Sequence, residues 1–369
     1  MITEIYIDNF RCLTNFRIKP DNFQLWLGDN GSGKSSVLAA LHYIQRLIRG
    51  EHTNDIFQRN NLTTWDKRNE QTFELHLKID NDIYKYQLIL EYANQENKLR
   101  IKRERLVWNG SQFFLFDGQE AHLYRINRRT SNIEEGAKFP ADWHRSMIST
   151  IASRDDNTPV IKFREELDKL LLINPVPLVI KEAAASESRN LSEHTENFAQ
   201  WYRHLLQEIP RITYKAKQLL EDVLPGFEQL SLKEIGDSRR LTATFRIDGT
   251  DRDFDFTDIS DGQRQLIVLY TILEAFRTGF FSALLIDEPD NFVSLREIQP
   301  WLENLRDICD ENDNQAIIIS HHPEIIDSMT EGSELWFSRP SGAHVVTKAF
   351  PMVPGLTPAE VMARGWENE

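Results

Sequence analysis

Cysteine is scarce in this sequence of 369 residues: Cys12 and Cys309 are too few for a disulfide framework or a cysteine metal site. Both lie in apolar patterns and are expected to be small core residues. No uninterrupted apolar run is long enough to cross a membrane. The opening residues, MITEIYIDNF, have the pattern of neither a signal peptide nor a transit peptide. We therefore expect a soluble, cytoplasmic protein with no membrane partner.

Positive charge is also in short supply. The chain has 43 Lys and Arg against 57 Asp and Glu, which gives a net charge of −14. This balance argues against a protein whose whole surface binds nucleic acid. Local basic clusters remain at residues 100–105 and 125–129, but alternation of charged and apolar residues is typical of the solvated face of a strand. Heptad runs and internal repeats are absent, which excludes an extended coiled coil.

The periodicity of the remaining sequence divides the chain into regions. In one region, apolar residues alternate with polar ones in segments that are bounded by turn signals. In another region, they recur at helical spacing. Residues 130–160 lack periodicity and are expected to be a loop-rich connection, and the polar residues 181–197 are expected to be mobile. The regions, taken as parts of one domain over 1–369, are an N-terminal lobe at 1–60, an antiparallel meander at 70–130, a helical insertion at 160–228 and a C-terminal lobe at 231–350.

The most informative segment is GDNGSGKS at residues 28–35, which fits the phosphate-binding loop G-x-x-x-x-G-K-[ST]. A short apolar strand precedes it and a helical pattern follows, as the motif requires. Lys34 is predicted to neutralise the β- and γ-phosphates of a nucleotide, and Ser35 to ligate Mg²⁺. The residues predicted to surround the phosphates are Gly28, Asp29, Asn30, Gly31, Ser32, Gly33, Lys34, Ser35 and Ser36.

Three further motifs follow in order. The first, Ser260, Asp261, Gly262 and Gln263, opens a helical pattern; it is a helix cap and also an anion-binding arrangement. The second, ALLIDEP at 283–289, is a buried strand that ends in two carboxylates: Asp287 is predicted to hold Mg²⁺ and Glu288 to deprotonate the attacking water. The third, IIISHH at 317–322, places a histidine where it can hydrogen-bond a γ-phosphate or move a proton.

In this order the four motifs resemble the head of an ABC-class ATPase, in its RecF/SMC/OLD-like branch. The resemblance implies an α/β fold: an ABC-type head with a mixed sheet, an antiparallel β-meander subdomain and an inserted helical lobe, without a long coiled coil. It implies that ATP and Mg²⁺ are the cofactors, that 260–263 is the signature, that 291–295 is the D-loop and that His321 is the switch histidine. Arg11 resembles an arginine that approaches the nucleotide. Gln71, preferred over Gln58, would be the Q-loop glutamine and a metal ligand.

The resemblance also implies what the chain does. In this branch two heads enclose two ATP molecules, and the signature of one subunit meets the γ-phosphate bound to the other. Short heads of this kind resemble the AAA family ATPases of bacterial phage-defence and toxin–antitoxin-like operons, whose partners include separate TOPRIM-like nucleases. The leading hypothesis is therefore an ATPase whose dimer controls an effector. A RecF-like DNA clamp and, less favoured, a transporter ATPase subunit are the alternatives.

Three points differ from the family pattern or stay open. Asp261 stands where transporters have glycine and adds a negative charge close to the expected γ-phosphate. The D-loop sequence, NFVSL, departs from the usual one. Either His321 or His322 could act as the switch histidine, with His321 favoured by the resemblance.

Overall fold

A computed structural model of the chain describes residues 1–92, 99–127, 129–236, 238–311, 314–321, 325, 327, 334–351, 353 and 355–365. Among these residues the strands form three sheets and the helices pack between and around them. The helices are α1 (Lys34–Ile48), α2 (Thr53–Ile56), α3 (Thr158–Asp168), α4 (Phe198–Glu208), α5 (Pro210–Val223), α6 (Asp261–Arg277), α7 (Leu295–Glu311) and α8 (Pro358–Ala363). None of these helices is both long enough and apolar enough to cross a bilayer.

The central sheet of the described chain has six strands, and the first five in its order run parallel. The last strand pairs antiparallel with its neighbour, which makes the sheet mixed. In spatial order the strands are β10 (Leu170–Ile173), β14 (Ala283–Asp287), β15 (Gln315–Ile319), β3 (Phe23–Gly28), β16 (Glu334–Ser338) and β17 (Val346–Ala349). Every residue of β3, β10, β14 and β15 is buried, as expected for a parallel sheet covered on both faces.

An antiparallel sheet of eight described strands lies on one side of this central sheet. Its alternating pattern buries one face, as in β4, where Phe73, Leu75 and Leu77 point inward. The strands are β2 (Phe16–Ile18), β1 (Ile2–Asp8), β4 (Glu70–Ile79), β5 (Asp82–Tyr92), β6 (Leu99–Trp108), β7 (Ser111–Phe116), β8 (Glu120–Ile126) and β9 (Ile133–Pro140). A third sheet consists of β11 (Phe227–Ile235), β12 (Ser238–Ile247) and β13 (Thr250–Asp255).

Alternate residues of the central strands enter two separate hydrophobic cores. Trp26 and Leu285 join the core shared with α1 and the eight-stranded sheet. Leu25 and Ile286 join the core shared with α4, α6 and α7. The central sheet is therefore the middle layer of the molecule, and its strand ends are held from both sides.

Two strands were not expected from the sequence. β10 lies inside the region predicted as a helical insertion, and it pairs with β14 in the central sheet. β9 lies inside the predicted loop-rich connection and pairs with β8. β10 is a run of four apolar residues directly after a helix, so periodicity could not separate it from that helix. β9 is mostly exposed, so its apolar signal is weak.

The segment 181–197 was predicted to be mobile because it is polar. The structure shows an irregular path that is held by hydrogen bonds at several points. The amide of Lys181 donates to the carbonyl of Glu196 at 3.0 Å, and Ala183 forms a β-bridge with Arg240. The side chain of Asn197 donates to Ser188 and to the carbonyl of Asn190. These contacts argue against the expected mobility.

Candidate nucleotide-binding site

Three of the four predicted motifs meet at the carboxyl edge of the central sheet. β3 leads into the phosphate loop, β14 ends at Asp287, and Ser320 and His321 follow β15. Because these three strands are parallel neighbours, residues more than 250 positions apart in sequence share one edge. In open α/β sheets, ligands bind in the crevice outside this edge.

The geometry of the phosphate loop depends on Gly33. Its φ of 109° lies in the left-handed region, and a Cβ there would be 2.8 Å from Cγ2 of Val345. Only glycine fits this position without displacing the neighbour. The following residue, Lys34, begins α1, so the loop ends at the positive pole of a helix that is fifteen residues long.

Lys34 lies folded into its own loop. Its Nζ donates to the carbonyl oxygens of Gly28 at 2.5 Å and Asp29 at 3.2 Å, and to Oγ of Ser32 at 3.1 Å. The side chain is buried, and this burial lowers its pKa to about 8, while nearby carboxylates oppose the change. Among the described residues it forms no ion pair.

Ser35 and Asp287 meet directly. Oγ of Ser35 donates to Oδ2 of Asp287 at 2.6 Å, across 252 positions of sequence. Burial raises the pKa of Asp287 and the Glu288 carboxylate raises it further, whereas the Ser35 hydrogen bond and Lys34 lower it. A hydroxyl and a buried carboxylate oxygen at hydrogen-bond distance form the kind of donor set that Mg²⁺ prefers.

Glu288 lies at a strained turn directly after this strand. Its φ of 52° is unusual for a residue other than glycine, and its amide donates to the carbonyl of Ile319 at 2.7 Å. Nδ2 of Asn291 donates to Oε2 of Glu288 at 2.8 Å, and Nε2 of His321 lies 3.8 Å from Oε1. Burial and the nearby Lys34 lower the pKa of His321, which favours the neutral imidazole at pH 7. One carboxylate oxygen is thus hydrogen-bonded to the Asn291 side chain, and the other faces the His321 imidazole.

The predicted signature is the N-terminus of α6. Oγ of Ser260 accepts from the amide of Gln263 at 3.2 Å, and the Gln263 side chain accepts in return from the amide of Ser260, which completes a capping box. Asp261 forms an ion pair with Arg264 one turn along the helix. The negative charge that departs from the transporter pattern is therefore compensated within the same helix.

The signature helix is also coupled to the strand that carries Asp287. A Cβ on Gly262 would lie 2.7 Å from the carbonyl oxygen of Phe292, so the D-loop backbone packs against this glycine. Nε2 of the fully buried Gln265 donates to the carbonyl of Pro289 at 3.0 Å. A displacement of α6 would therefore act on the turn that holds Glu288.

Two predicted site residues have other contacts in this structure. The guanidinium of Arg11 packs on the rings of Phe10 and Tyr43 and donates to the Tyr43 hydroxyl at 3.4 Å, so its described contacts are with its neighbour Phe10 and with α1. Gln71 is fully buried, and its Nε2 donates to the carbonyls of Asn9 and Asn61. Its Oε1 has no hydrogen-bond partner in the described chain. For both residues the nucleotide or metal role stays a prediction.

Sequence reasoning missed the segment that follows β16 and covers the loop. Nη1 of Arg339 donates to the carbonyl of Gly31 at 3.2 Å, and its guanidinium lies 5.4 Å from the ring centre of Trp65. Val345 contacts Gly33 in the same segment. No motif marks Arg339 or Val345, because only the pairing of β16 with β3 brings them to the loop.

Two other predictions need comment. Cys12, predicted to be in the core, is partly exposed, with Sγ 3.7 Å from Oγ of Ser36. The competing switch residue, His322, lies outside the described residues.

The comparisons with known proteins agree with this architecture. Residues 27–327 match the model of the family described as "AAA domain, putative AbiEii toxin, Type IV TA system". The chain belongs to this family. Among curated proteins, no sequence matches the chain significantly.

Solved structures show that this member of the AAA family has the fold of an Smc head domain. It is similar to the crystal structure of an Smc head bound to the C-terminal winged-helix domain of ScpA, with a TM-score of 0.56 and 13% identity over 94% of this chain and 97% of that one. An Smc head from Pyrococcus furiosus with an extended coiled coil, bound to the C-terminal domain of ScpA, gives a TM-score of 0.53 and 11% identity over 100% and 99% of the two chains. At such identities the likeness shows the fold.

Proposed function

We propose that this AAA-family head binds ATP with Mg²⁺, hydrolyses it, and uses the ATP-bound dimer to control a separate effector protein in bacterial defence against phage. The contact between Ser35 and Asp287 at 2.6 Å carries the first part of this proposal. It joins the last residue of the phosphate loop to the strand-end carboxylate, the pair of oxygen ligands that would hold Mg²⁺ between the β- and γ-phosphates.

The remaining predicted site residues would have separate roles in phosphoryl transfer. Lys34 would leave its loop carbonyls and donate to the phosphates, where a positive charge offsets the charge that develops during transfer. Glu288 would accept the proton of the attacking water, while Asn291 holds one of its carboxylate oxygens by a hydrogen bond and His321 lies beside the other. Bound Mg²⁺ would supply further charge neutralisation at the phosphates.

Dimer formation is supported by the exposed surface around the signature. Ser260 and Phe292 are both exposed, Phe292 by 52%, although Phe292 adjoins the signature glycine. An exposed aromatic side chain next to an exposed helix N-terminus is suited to a second molecule that brings an anionic group. In the proposed dimer this group is the γ-phosphate held by the other subunit.

Control of an effector is supported by the family and by the structural relatives. The family description names a toxin and a type IV toxin–antitoxin system. The Smc heads of similar fold are bound to domains of another protein, ScpA. A head that acts through a separate partner, such as a TOPRIM-like nuclease, is consistent with both.

The structure weakens the motive for the DNA-clamp alternative. Within the basic run on β6, Arg100 is bonded to Glu91 at 2.5 Å and Lys102 is paired with Glu70. These acids neutralise side chains that would otherwise contact phosphates, so binding to DNA would first have to break the pairs. We expect at most weak, strongly salt-dependent DNA binding.

The variant Glu288→Gln tests the hydrolytic role. Removal of the base should lower ATP turnover by about 100-fold or more, because general-base catalysis contributes on that scale. ATP binding should be retained, and the variant should accumulate as an ATP-bound dimer in light scattering. The exposed Glu311→Gln on α7 is the matched control and should keep wild-type turnover. Turnover of Glu288→Gln within a few-fold of wild type would remove Glu288 from the mechanism.

The variant Lys34→Ala tests nucleotide binding separately. Loss of a charge-assisted contact to phosphate should weaken ATP affinity by about 10-fold or more. Equilibrium binding of a fluorescent ATP analogue measures this loss, with the exposed Lys181→Ala as the control. Equal affinity in wild type and Lys34→Ala would contradict the assignment of the phosphate loop.

A further inference from the structure

A cluster of metal-ligating side chains lies apart from the predicted nucleotide site. His52 precedes α2, and Asp142 and His144 lie in the loop after β9. One potential ligand atom from each residue lies within 4.8 Å of the others. Among the described residues, these three side chains are the His, Cys, Asp and Glu groups that lie close enough together to hold a metal ion.

The two imidazoles are spaced as rings that share a metal are spaced. Their ring centres are 5.0 Å apart, with an angle of 18° between the ring planes. A tetrahedral ion with bonds of about 2.0–2.1 Å to two imidazoles would hold the ring centres about 5 Å apart. The ring centres are therefore close enough to share an ion, and the stacked rings would turn so that one nitrogen of each faces it.

Backbone hydrogen bonds hold the two segments that carry the histidines next to each other. The amide of Thr53, next to His52, donates to the carbonyl of His144 at 2.8 Å, and the amide of Ile101 donates to the carbonyl of Trp143 at 2.7 Å. The buried Glu104 accepts from Oγ of Ser146 at 2.5 Å. The histidines thus stand on segments that are tied to each other and to β6, which is the support that a metal site needs.

Asp142 stands beside His144 in a typical metal-site arrangement. Its Oδ1 lies 3.0 Å from Nδ1 of His144 and accepts from the His144 amide at 2.9 Å. The short distance brings a carboxylate oxygen and an imidazole nitrogen together as potential ligands of one ion. The carboxylate is exposed, so it can also turn toward the ion as a third ligand.

We propose that His52, His144 and Asp142 bind a divalent first-row transition-metal ion, with two imidazoles and one carboxylate as the protein ligands. Imidazole and carboxylate together suit Zn²⁺, Cu²⁺ and Ni²⁺ better than Ca²⁺ or Mg²⁺, which take oxygen ligands. The ligand atoms of a tetrahedral zinc site are roughly 3.3 Å apart, so the side chains converge by small rotations on binding. The ion would connect the loop after β9 to the segment that follows α1.

Zinc binding to the metal-free full-length chain, measured by calorimetry without nucleotide, tests the proposal. Wild type should bind one tight equivalent of Zn²⁺ and should gain thermal stability from it. His52→Ala and His144→Ala should each lose at least about 100-fold in affinity, and Asp142→Asn about 10-fold or more. Cobalt bound at the site should show the visible absorption of a tetrahedral complex, and His144→Ala should abolish it.

Two controls make the result specific. His122→Ala removes a histidine of similar exposure that lies 3.7 Å from Glu120, and it should bind zinc as wild type does. Asp287→Asn should also leave this binding unchanged, which separates the site from the predicted Mg²⁺ site. His52→Gln, which keeps a polar side chain, replaces His52→Ala if the alanine variant is less stable without metal. Equal zinc affinity and stoichiometry in wild type and the His52→Gln, His144→Ala double variant would overturn the proposal.

Discussion

Glu104 is a buried titratable side chain that the predicted nucleotide chemistry does not use. It lies on β6, fully buried, and accepts hydrogen bonds from the Tyr86 hydroxyl at 2.9 Å, Oγ of Ser146 at 2.5 Å and the amide of Met147 at 3.2 Å. Burial raises the pKa of Glu104 to about 7, although these donors oppose the change. Near neutral pH the side chain is therefore close to its titration point in the folded protein.

Glu104 should make the stability of the protein fall as pH rises toward neutrality. Between pH 4.5 and about 7 the folded state keeps the proton, whereas the unfolded state, with its ordinary pKa of 4.5, has lost it. Linkage then lowers the free energy of unfolding across this range by roughly 3 kcal/mol at most. Glu104→Gln should remove this slope and should exceed wild-type stability above pH 7. Urea denaturation over this pH range measures the difference.

The control for this prediction is Glu303→Gln, an exposed carboxylate on α7, which should keep the wild-type pH dependence. An unchanged slope in Glu104→Gln would show that Glu104 stays ionised in its buried position.

The Asp261–Arg264 pair settles a question that the sequence left open. A carboxylate close to the expected γ-phosphate would repel it if the charge were uncompensated. Arg264 is nearly buried, pairs with Asp261 and donates to the carbonyl of Pro177 at 2.9 Å. Its position is therefore fixed from two sides, and the predicted signature carries an ion pair in place of a lone acid.

At the scale of secondary-structure elements, Gln315 joins the two large sheets. It lies fully buried at the start of β15, in the central sheet. Its Oε1 accepts from the amide of Ile2 on β1 at 2.8 Å, and its Nε2 donates to the carbonyls of Ile2 at 2.9 Å and Asp21 at 3.0 Å. One side chain thus bonds three backbone groups at the junction of the sheets, and two of these bonds are buried.

Gln315→Leu should lower the free energy of unfolding by about 2–4 kcal/mol. It leaves an amide and two carbonyls without partners, and each unsatisfied buried group costs about 1–3 kcal/mol before local relaxation. Urea denaturation measures the change. The exposed Gln299→Leu on α7 is the control and should stay within about 0.5 kcal/mol of wild type. A similarly small effect for Gln315→Leu would mean that water or local rearrangement satisfies these groups.

At the scale of the whole molecule, the phosphate loop and the predicted signature belong to two different helices of the chain. The loop precedes α1, and the signature begins α6. In the proposed dimer each nucleotide would contact the loop of one subunit and the signature of the other. The subunits would therefore complete each other's site, and turnover would depend on association.

ATP turnover per chain should consequently fall when the protein is diluted below its dimer dissociation constant. Steady-state hydrolysis at saturating ATP over a wide range of protein concentration measures this dependence, and light scattering at the same concentrations reports the oligomeric state. Glu288→Gln should shift the dimer to lower concentrations, since its ATP persists. Constant turnover in samples that are monomeric throughout would contradict the composite site.

Much of the central architecture could be predicted from local signals. The strand predicted within residues 283–289 contains β14, the apolar residues before Ser320 lie in β15, and the helical pattern predicted to open at residues 260–263 is α6. These elements have strong apolar patterns and clear boundaries. β9 and β10 were missed because one is mostly exposed and the other follows a helix directly.

The sequence by itself determined the order of the motifs, the residue types at the predicted site and the capping of α6, because each depends on neighbours along the chain. Only the tertiary structure decided which distant groups meet: Ser35 with Asp287, Arg339 with the phosphate loop, and His52 with His144. These contacts follow from the strand order of the sheets and from the packing of loops against them. Such long-range pairing leaves no periodic signal in the sequence.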